Sequence, residues 1–266
     1  MPVTVTSLHI YPVKGLGSIN LQEAEVTPRG LRHDRRFMVV DPSGEFFTQR
    51  DFPRMATVWT EIEGGKLRLA APDAGEVELE AEPSEGAAMT VRVWNSSGLA
   101  AIAPSPEADA WLSDYLGTAC RLAYMPDHSR RATNPAYGGE HIVSFADGYP
   151  FLFTNEASLE ELNGRLAHPI PMNRFRPNFV VKGVPAYAED GWKDVRVGGV
   201  PFKFVKPCGR CQVTTTDQTT GEVTGPEPLS VLSVYRSSPT FGAMFGMNAV
   251  SLEESTVRVG DAVEPR

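Results

Sequence analysis

The sequence of 266 residues contains few cysteines and carries no excess of positive charge. Its three cysteines, Cys120, Cys208 and Cys211, cannot all pair with one another. This argues against a fold stapled by disulfides, and a reducing, cytoplasmic setting is the simpler expectation. The 25 lysines and arginines are outnumbered by 33 aspartates and glutamates, which gives a formal net charge of -8. Because binding to phosphates needs a basic face, this balance argues against a nucleic-acid partner.

Long apolar runs are also missing, as is a basic N-terminal segment followed by an apolar one. We therefore expect neither a membrane anchor nor an export signal. The composition is that of an ordinary globular protein, with 41% hydrophobic and 22% charged residues. The length allows one large domain or two domains of ordinary size, each with its own core.

The first half of the chain shows the alternation and the turn signals of short β-strands. Gly64-Gly65 predicts one hairpin, and Asn95-Ser-Ser-Gly98 predicts another. An amphipathic helix follows, with Ser105 as its cap and Gly117 as its stop. Short strands at this spacing favour a small barrel or sandwich, so we predict an α+β, mainly β fold.

The second half begins with a segment that has little periodicity. Residues 126–148 are rich in Gly, Pro, Asn, Asp and Arg, which predicts a long loop, and loops of this length are often functional. A helix is predicted over residues 156–166, with Thr154 or Asn155 as its cap. We place a domain boundary near Cys120–Pro126.

Two cysteines and an arginine share the segment Lys206-Pro-Cys-Gly-Arg-Cys-Gln-Val-Thr-Thr-Thr-Asp217. The β-branched run after Cys211 predicts a strand. The spacing Cys208-x-x-Cys211 fits half a zinc site, a thioredoxin-type redox pair or two ordinary buried thiols. No second cysteine pair follows, and redox chemistry needs a helix N-terminus at the first thiol. A soft thiolate beside a fixed positive charge also suits a metal that carries an anionic organic group. The spacing alone leaves these interpretations open.

Arginines occur in three separate regions of this acidic chain. Arg130 and Arg131, within the predicted loop, are interpreted as solvated surface. Arg176 lies in Phe-Arg-Pro-Asn just before an apolar strand, where an unpaired charge would be costly. We therefore expect it to have an anionic partner, either a carboxylate or a bound phosphate. Lys14, at the end of the first strand and followed by glycine, is a similar case.

Six short motifs follow one another along the chain, and their order is informative. They are Tyr11-Pro-Val-Lys14, Gly30-Leu-Arg with Asp34-Arg35, Asn155-Glu-Ala-Ser-Leu159, Phe175-Arg-Pro-Asn178, Tyr187-Ala-Glu-Asp-x-Trp192, and Cys208-Gly-Arg-Cys211 with Thr214-Thr215 and Asp217. This order resembles the MOSC-domain family, and within it the amidoxime-reducing molybdenum enzymes. The resemblance covers nearly the whole chain, and the ordered series is far more specific than any single motif.

The resemblance implies an N-terminal MOSC-associated β-barrel domain over residues 1–122 and a MOSC β-barrel with peripheral helices over residues 123–266. It also implies a molybdenum cofactor, in which the dithiolene of a molybdopterin holds the metal. Alignment of the Cys-x-Arg-Cys block makes Cys211 the metal ligand and a catalytic residue, and leaves Cys208 a supporting or structural role. A thiolate is a suitably soft donor. The family also brings an expectation of pyridoxal phosphate binding.

The same resemblance assigns further residues to the cofactor. Those expected around its phosphate and pterin are Lys14, Gly15, Arg35, Arg176, Asn178, Gly209 and Arg210. Asp147 matches an acidic residue near the metal and is expected to be catalytic, through hydrogen bonding to the pterin or through proton handling. The family often has serine after the lysine, so Gly15 removes a hydroxyl contact.

The activity implied by the resemblance is the reduction of N-hydroxylated compounds, namely amidoximes, hydroxylamines and N-hydroxylated bases, by abstraction of their oxygen atom at molybdenum. Electrons would come from a separate reductase, ferredoxin or cytochrome, because no cysteine follows Cys211 to hold an iron–sulfur cluster. One alternative is a carrier that holds the cofactor or a sulfur atom on Cys211, since MOSC domains also occur at the end of the molybdenum-cofactor sulfurase chain. Another is a protein of this fold that has lost the cofactor.

Overall fold

The computed structural model describes residues 2–266 and shows, within them, a mainly β molecule with three α-helices. This confirms the predicted fold class. The strands are β1 (Thr4–Ile10), β2 (Val13–Lys14), β3 (Ile19–Leu21), β4 (Glu23–Thr27), β5 (Gly30–Leu31), β6 (Phe37–Val40), β7 (Trp59–Glu63), β8 (Lys66–Ala71), β9 (Gly75–Glu80), β10 (Ala87–Val93), β11 (Ser96–Ala103), β12 (Arg121–Tyr124), β13 (Phe151–Asn155), β14 (Phe179–Lys182), β15 (Asp194–Val197), β16 (Val200–Gly209), β17 (Ser237–Ser238), β18 (Gly242–Ser251), β19 (Ser255–Arg258) and β20 (Val263–Pro265). The α-helices are α1 (Pro106–Leu116), α2 (Glu156–Asn163) and α3 (Leu229–Tyr235).

The largest sheet has nine strands and joins the two ends of the chain. Its order is β20-β15-β16-β18-β13-β14-β1-β3, with β17 paired to β18. The N-terminal strand β1 runs antiparallel to β14, and Leu8 lies opposite Phe179. The first strand therefore belongs to the same sheet as the strands that lead to Cys211.

Phenylalanine rings fill the core beneath this sheet. Phe153 and Phe179 stack with their ring centroids 4.2 Å apart, and Phe202 meets both rings edge-on. All three are fully buried, and burial of one such side chain stabilises a fold by about 1.5–3 kcal/mol. The packing fixes the parallel pair β13 and β14, and the residues just before these two strands reach the cavity described below.

Three smaller sheets contain the other eleven of these strands. Their orders are β10-β11-β12-β6-β2, β19-β4-β5 and β7-β8-β9. In the first of them β2 runs parallel to β6, which brings Lys14 opposite Met38. Lys14 thereby lies on the end strand of the five-stranded sheet.

The two helices predicted from caps are confirmed. The Ser105 side chain accepts a hydrogen bond from the first turn of α1, and Gly117 ends that helix in the left-handed region at a φ of 71°. Asn155 caps α2 in the same manner. This helix ends earlier than predicted, at Asn163, because the Asn163 side chain bonds both backbone groups of Ile170 and turns the chain away.

The hairpin between β10 and β11 is tighter than predicted. Val93 pairs with Ser96, so the turn consists of Trp94 and Asn95. The predicted turn residues from Ser96 to Gly98 belong to β11 instead. Trp94 has a φ of 52°, in the left-handed region.

Candidate functional site

Cys211 lies at the corner where β16 ends. The chain then forms a 3₁₀ helix over Gln212–Thr215, so the predicted strand after Cys211 is wrong. The Thr214 hydroxyl donates to the Cys211 carbonyl at 3.0 Å, and the Thr215 hydroxyl donates to the Gln212 carbonyl at 2.8 Å. Such local bonds offer the backbone an alternative to a sheet, and here they override the β-branched preference.

Arg210 fixes this corner by binding backbone carbonyls. Its Nε and Nη2 donate to the Phe245 carbonyl at 2.9 and 2.7 Å. Its Nη1 donates to the Phe175 carbonyl at 2.9 Å. These bonds tie the corner to β18 and to the Phe-Arg-Pro-Asn segment, and they orient the neighbouring Cys211.

Cys211 borders a cavity with an empty volume of about 970 Å³, including the solvent-filled space at its open mouth. The structure brings together here every residue that the sequence assigned to a cofactor or to catalysis. They are Lys14, Gly15, Arg35, Asp147, Arg176, Asn178, Gly209, Arg210 and Cys211, with Cys208 beside them. Segments far apart in the chain thus converge on one thiol.

The lining of the cavity reverses the sign of the protein's charge. Among the described residues it contains six cationic side chains and a single carboxylate, Asp147. The cations are Lys14, Arg35, Arg50, Arg174, Arg176 and Arg210. In a protein of net charge -8, such a concentration favours an anionic ligand.

Asp147 is held by two donors from the N-terminal half. Lys14 Nζ and Trp94 Nε1 both donate to its Oδ1, the latter at 3.0 Å. Partial desolvation at the cavity wall opposes ionisation of the carboxyl, but the charge of Lys14 and these two hydrogen bonds hold the pKa of Asp147 well below its usual range. Burial lowers the pKa of Lys14, and Asp147 acts in the opposite direction.

A second pair of charges lies deeper. Arg35 Nη1 donates to both oxygens of the buried Asp34, at 2.9 and 2.7 Å. The guanidinium groups of Arg35 and Arg176 lie 4.1 and 4.2 Å from the centroid of the Tyr11 ring. Burial raises the pKa of Tyr11 to about 12, so its hydroxyl stays protonated and donates to the Pro177 carbonyl.

Arg176 and Arg174 differ in their partners. Arg176 donates to Gln218 Oε1 at 3.1 Å and to the Leu16 carbonyl at 2.7 Å, and no carboxylate of residues 2–266 forms an ion pair with it. Burial lowers its pKa to about 10. Arg174 pairs with Asp217 at 3.0 Å, but its buried Nε has no hydrogen-bond partner in the described chain. Sequence analysis missed Arg174 as a cavity residue.

Asn178, Gly15 and Gly209 determine the path of the backbone around the cavity. The Asn178 side chain donates to the His9 carbonyl at 3.1 Å and accepts from the Leu152 N–H at 3.2 Å, which ties β1 to β13. Gly15 has a φ of 86°, and a Cβ there would lie 2.8 Å from Met55 Cε. The positive φ therefore favours glycine at this position, where the family resemblance led us to expect serine. Gly209 passes against the Phe241 carbonyl, where a side chain would collide.

Arg131 corrects a prediction from sequence. It was expected on the surface, yet it is buried. Its guanidinium donates to the carbonyls of Ser144, Ala146 and Asp147, and its Nε donates to Ser96 Oγ at 3.2 Å. Arg131 thus pins the loop that carries Asp147. Arg130, in contrast, is exposed as expected.

The two cysteines of the motif are not equivalent. Cys211 is exposed to the cavity, whereas Cys208 is half-buried. Although solvent reaches the Cys211 side chain, the surrounding cavity walls partly desolvate the thiol and raise its pKa, and the Val213 N–H and the charges of Arg50 and Arg210 act in the opposite direction. Across residues 2–266, no group of three or more His, Cys, Asp or Glu side chains could hold a metal ion. A zinc site at the pair would therefore lack further ligands from the described chain.

Comparison with family models gives two matches along the chain. The model of the MOSC N-terminal beta barrel domain matches residues 2–119, and the model of the MOSC domain matches residues 140–264. None of the helices within residues 2–266 combines the length and the apolarity needed to cross a bilayer.

Similar proteins match over nearly the whole chain. Mitochondrial amidoxime-reducing component 1 of Mus musculus is 34% identical over 98% of this chain and 81% of its own length. The Homo sapiens protein of that name is 33% identical over 98% of this chain and 82% of its own length. Among solved structures, the YUAD protein from Bacillus subtilis has a TM-score of 0.43 and 9% identity, covering 99% of this chain and 94% of its own. Neither the expected pyridoxal phosphate binding nor the cytoplasmic setting is supported by these names.

Proposed function

This chain belongs to the MOSC family, and on that premise we propose that it is a molybdenum-cofactor-dependent reductase of N-hydroxylated compounds such as amidoximes. The observation that carries the proposal is an exposed thiol, Cys211, at the edge of a cavity lined by six cationic side chains and one carboxylate. The names of the similar proteins supply the reaction class.

The chemistry of the cavity fits a molybdopterin. Its phosphate and dithiolene are anionic, and Arg174 and Arg176 are two buried or half-buried arginines that lack full compensation from protein groups. A buried charge or donor without a partner is costly, so each is expected to have a ligand partner. Cys211 offers the one exposed thiol among the described lining residues, and a soft metal prefers the thiolate that this group becomes when it loses its proton on binding.

In this proposal Cys211 holds the metal, and the cationic residues Lys14, Arg35, Arg174 and Arg176 hold the phosphate and pterin. Gly209 lets the backbone approach closely, and Arg210 orients Cys211 through its carbonyl contacts. The cofactor would supply the two-electron change needed to remove an oxygen atom from nitrogen. The protein supplies binding, orientation and charge.

Asp147 is better suited to accept a hydrogen bond than to deliver a proton. Lys14 and Trp94 keep its pKa well below the usual range, so its protonated form is scarce near neutral pH. A general acid needs a pKa near the working pH. We therefore assign to Asp147 the role of orienting an N–OH group, an amidine N–H group or the pterin by accepting a hydrogen bond. Protons come from water in this proposal.

Electrons reach the site from a separate protein in this proposal. A carrier of cofactor or sulfur would also need the exposed Cys211 thiol, and it would differ by failing to turn over substrate. We also propose two domains, an N-terminal MOSC-associated β-barrel domain over residues 1–122 and a MOSC domain over residues 123–266.

The test uses protein purified from a host that makes molybdopterin. We expect molybdenum near one atom per chain by elemental mass spectrometry, and oxidation of reduced viologen in the presence of benzamidoxime. Cys211→Ala should lose both the metal and the turnover. Cys208→Ala separates the two thiols of the motif and should keep the metal, and Cys120→Ala controls for removal of a thiol away from the cavity.

Other results would count against the proposal in different ways. Molybdenum without dye oxidation in the wild type would favour the carrier. Full metal content in Cys211→Ala would remove this residue from metal binding, and zinc in place of molybdenum would return the Cys-x-x-Cys pair to its other interpretations.

A further inference from the structure

Trp94 is a bulky residue in a backbone conformation that favours glycine. With Asn95 it forms the turn between β10 and β11, and its φ is 52°. For a bulky residue such a conformation is an outlier that persists only where the surrounding structure imposes it, and these outliers concentrate at functional sites. The indole of Trp94 lines the same cavity as Cys211.

Contacts on several sides hold this indole in place. Its Nε1 donates to Asp147 Oδ1 at 3.0 Å, and its ring meets Phe46 edge-on with the centroids 4.9 Å apart. The hairpin itself is tied to the loop of Asp147, because Arg131 Nε donates to Ser96 Oγ at 3.2 Å. The indole is therefore a fixed wall of the cavity.

The ring of Trp94 already carries a planar cation. The guanidinium carbon of Arg50 lies 4.8 Å from the ring centroid. Arg50 is exposed, and its Nε contact with Thr48 Oγ1 is long, at 3.3 Å. A guanidinium and an amidinium share a planar, delocalised N–C–N group, and aromatic faces attract both. Arg50 therefore shows that this face of the ring has room for a planar, delocalised group.

We propose that Trp94 determines substrate specificity by stacking on planar, conjugated N-hydroxylated substrates, with Arg50 as an occupant that they displace. This inference rests on the proposed function. The substrates favoured are those in which the C=N–O group is conjugated with a ring, over small aliphatic compounds that carry the same group. The bond to Asp147 keeps the indole oriented for stacking.

The test compares benzamidoxime with acetamidoxime in the viologen assay. In Trp94→Leu the ratio of kcat/KM for the two substrates should fall about tenfold, mainly through a higher KM for benzamidoxime. Trp94→Phe keeps an aromatic face and should lose less than about threefold. Arg50→Met should lower the KM for benzamidoxime. Trp59→Leu, which changes a tryptophan 63% exposed on β7, is the control and should leave the ratio unchanged.

Calorimetry on the same preparations tests the stacking surface without turnover. Benzamidine should bind about tenfold more weakly to Trp94→Leu than to the wild type, whereas acetamidine, which offers the indole only its amidinium and no ring, should lose less affinity. If no preparation reduces either amidoxime but benzamidine affinity still depends on Trp94, the proposed function fails and the planar-cation surface stands.

Three results would overturn the inference. One is a ratio and a benzamidine affinity in Trp94→Leu within about twofold of the wild type, a difference smaller than stacking provides. Another is an equal loss in Trp94→Phe and Trp94→Leu, which would assign the effect to the N–H bond with Asp147. If Trp94→Leu fails to fold, Arg50→Met decides, and an unchanged or higher KM for benzamidoxime rejects displacement.

Discussion

The cavity and the β7–β9 sheet contain the same types of charged residue in opposite settings. In the sheet, Arg68 pairs with Glu61 and Glu76, and these side chains are about half exposed. In the cavity, the Lys14 side chain is 11% exposed and that of Arg174 is 4% exposed. Exposed pairs are screened by water, whereas buried charges must find partners within the protein or in a ligand.

The balance of charge differs as well. Acidic residues surround the basic ones in the sheet, where Lys66 and Arg68 are matched by Glu61, Glu76 and Glu80. In the cavity the cations exceed the acidic groups of the lining. The difference teaches that the negative net charge reflects the exposed surface of this protein. The chemistry of the cavity depends instead on its local excess of cationic side chains.

The largest effect on stability is expected for Arg131→Met. This change keeps the aliphatic stem but removes the donors to the carbonyls of Ser144, Ala146 and Asp147. A buried polar group left without a partner costs about 1–3 kcal/mol, so the free energy of unfolding should fall by about 3 kcal/mol or more. Urea denaturation monitored by circular dichroism measures the loss.

The neighbouring Arg130→Met is the matched control. Arg130 is exposed, and within residues 2–266 its side chain makes no hydrogen bond or ion pair, so its removal should change the free energy of unfolding by less than about 0.5 kcal/mol. Equal losses in the two variants would show that the carbonyl cluster at Arg131 is not what stabilises the loop.

These two arginines also show what sequence could and could not predict. The caps of α1 and α2 were predictable because Ser105 and Asn155 bond groups two or three residues away. Arg131 bonds Ser96, and Trp94 bonds Asp147, across long stretches of chain. Periodicity and local propensity contain no information on such pairs.

The candidate site was predictable in a different manner. The family resemblance assigned residues to a cofactor site around Cys211, and the fold brings those residues to one cavity, while their roles there stay a prediction. It did not predict the 3₁₀ turn after Cys211, because two threonine hydroxyls outweigh the β-branched preference. It also missed Arg174, since Asp217 and the cavity meet that side chain only in the folded protein.

A smaller effect, dependent on pH, is expected for Asp147→Asn. The folded-state pKa of Asp147 is lowered, so its ionised form adds stability above the ordinary aspartate pKa, and this stability is lost as the pH falls below about 4. Because the side chain is 73% exposed, we expect less than about 1 kcal/mol. The difference between wild type and variant should shrink from pH 7 to pH 3 in urea titrations.

Lys14→Met tests the cause of that dependence. It removes the positive charge that lowers the pKa of Asp147, so its acid profile should approach that of Asp147→Asn. A gap between the wild type and either variant that stays constant across this pH range would show that the Lys14–Asp147 pair does not titrate with folding.

The smallest effect is expected in the β7–β9 sheet, for Arg68→Ala. Arg68 pairs with Glu61 on β7 and Glu76 on β9, but the exposed setting screens both contacts. A double-mutant cycle with Glu61→Ala should give a coupling energy of less than about 0.5 kcal/mol. The coupling should disappear in 1 M salt, where charges are screened beyond about 3 Å.

A coupling above about 1 kcal/mol that survives salt would mean that exposed pairs in this protein stabilise it as buried ones do. The contrast between sheet and cavity would then rest on charge balance alone, and burial would no longer explain why the cavity needs a ligand.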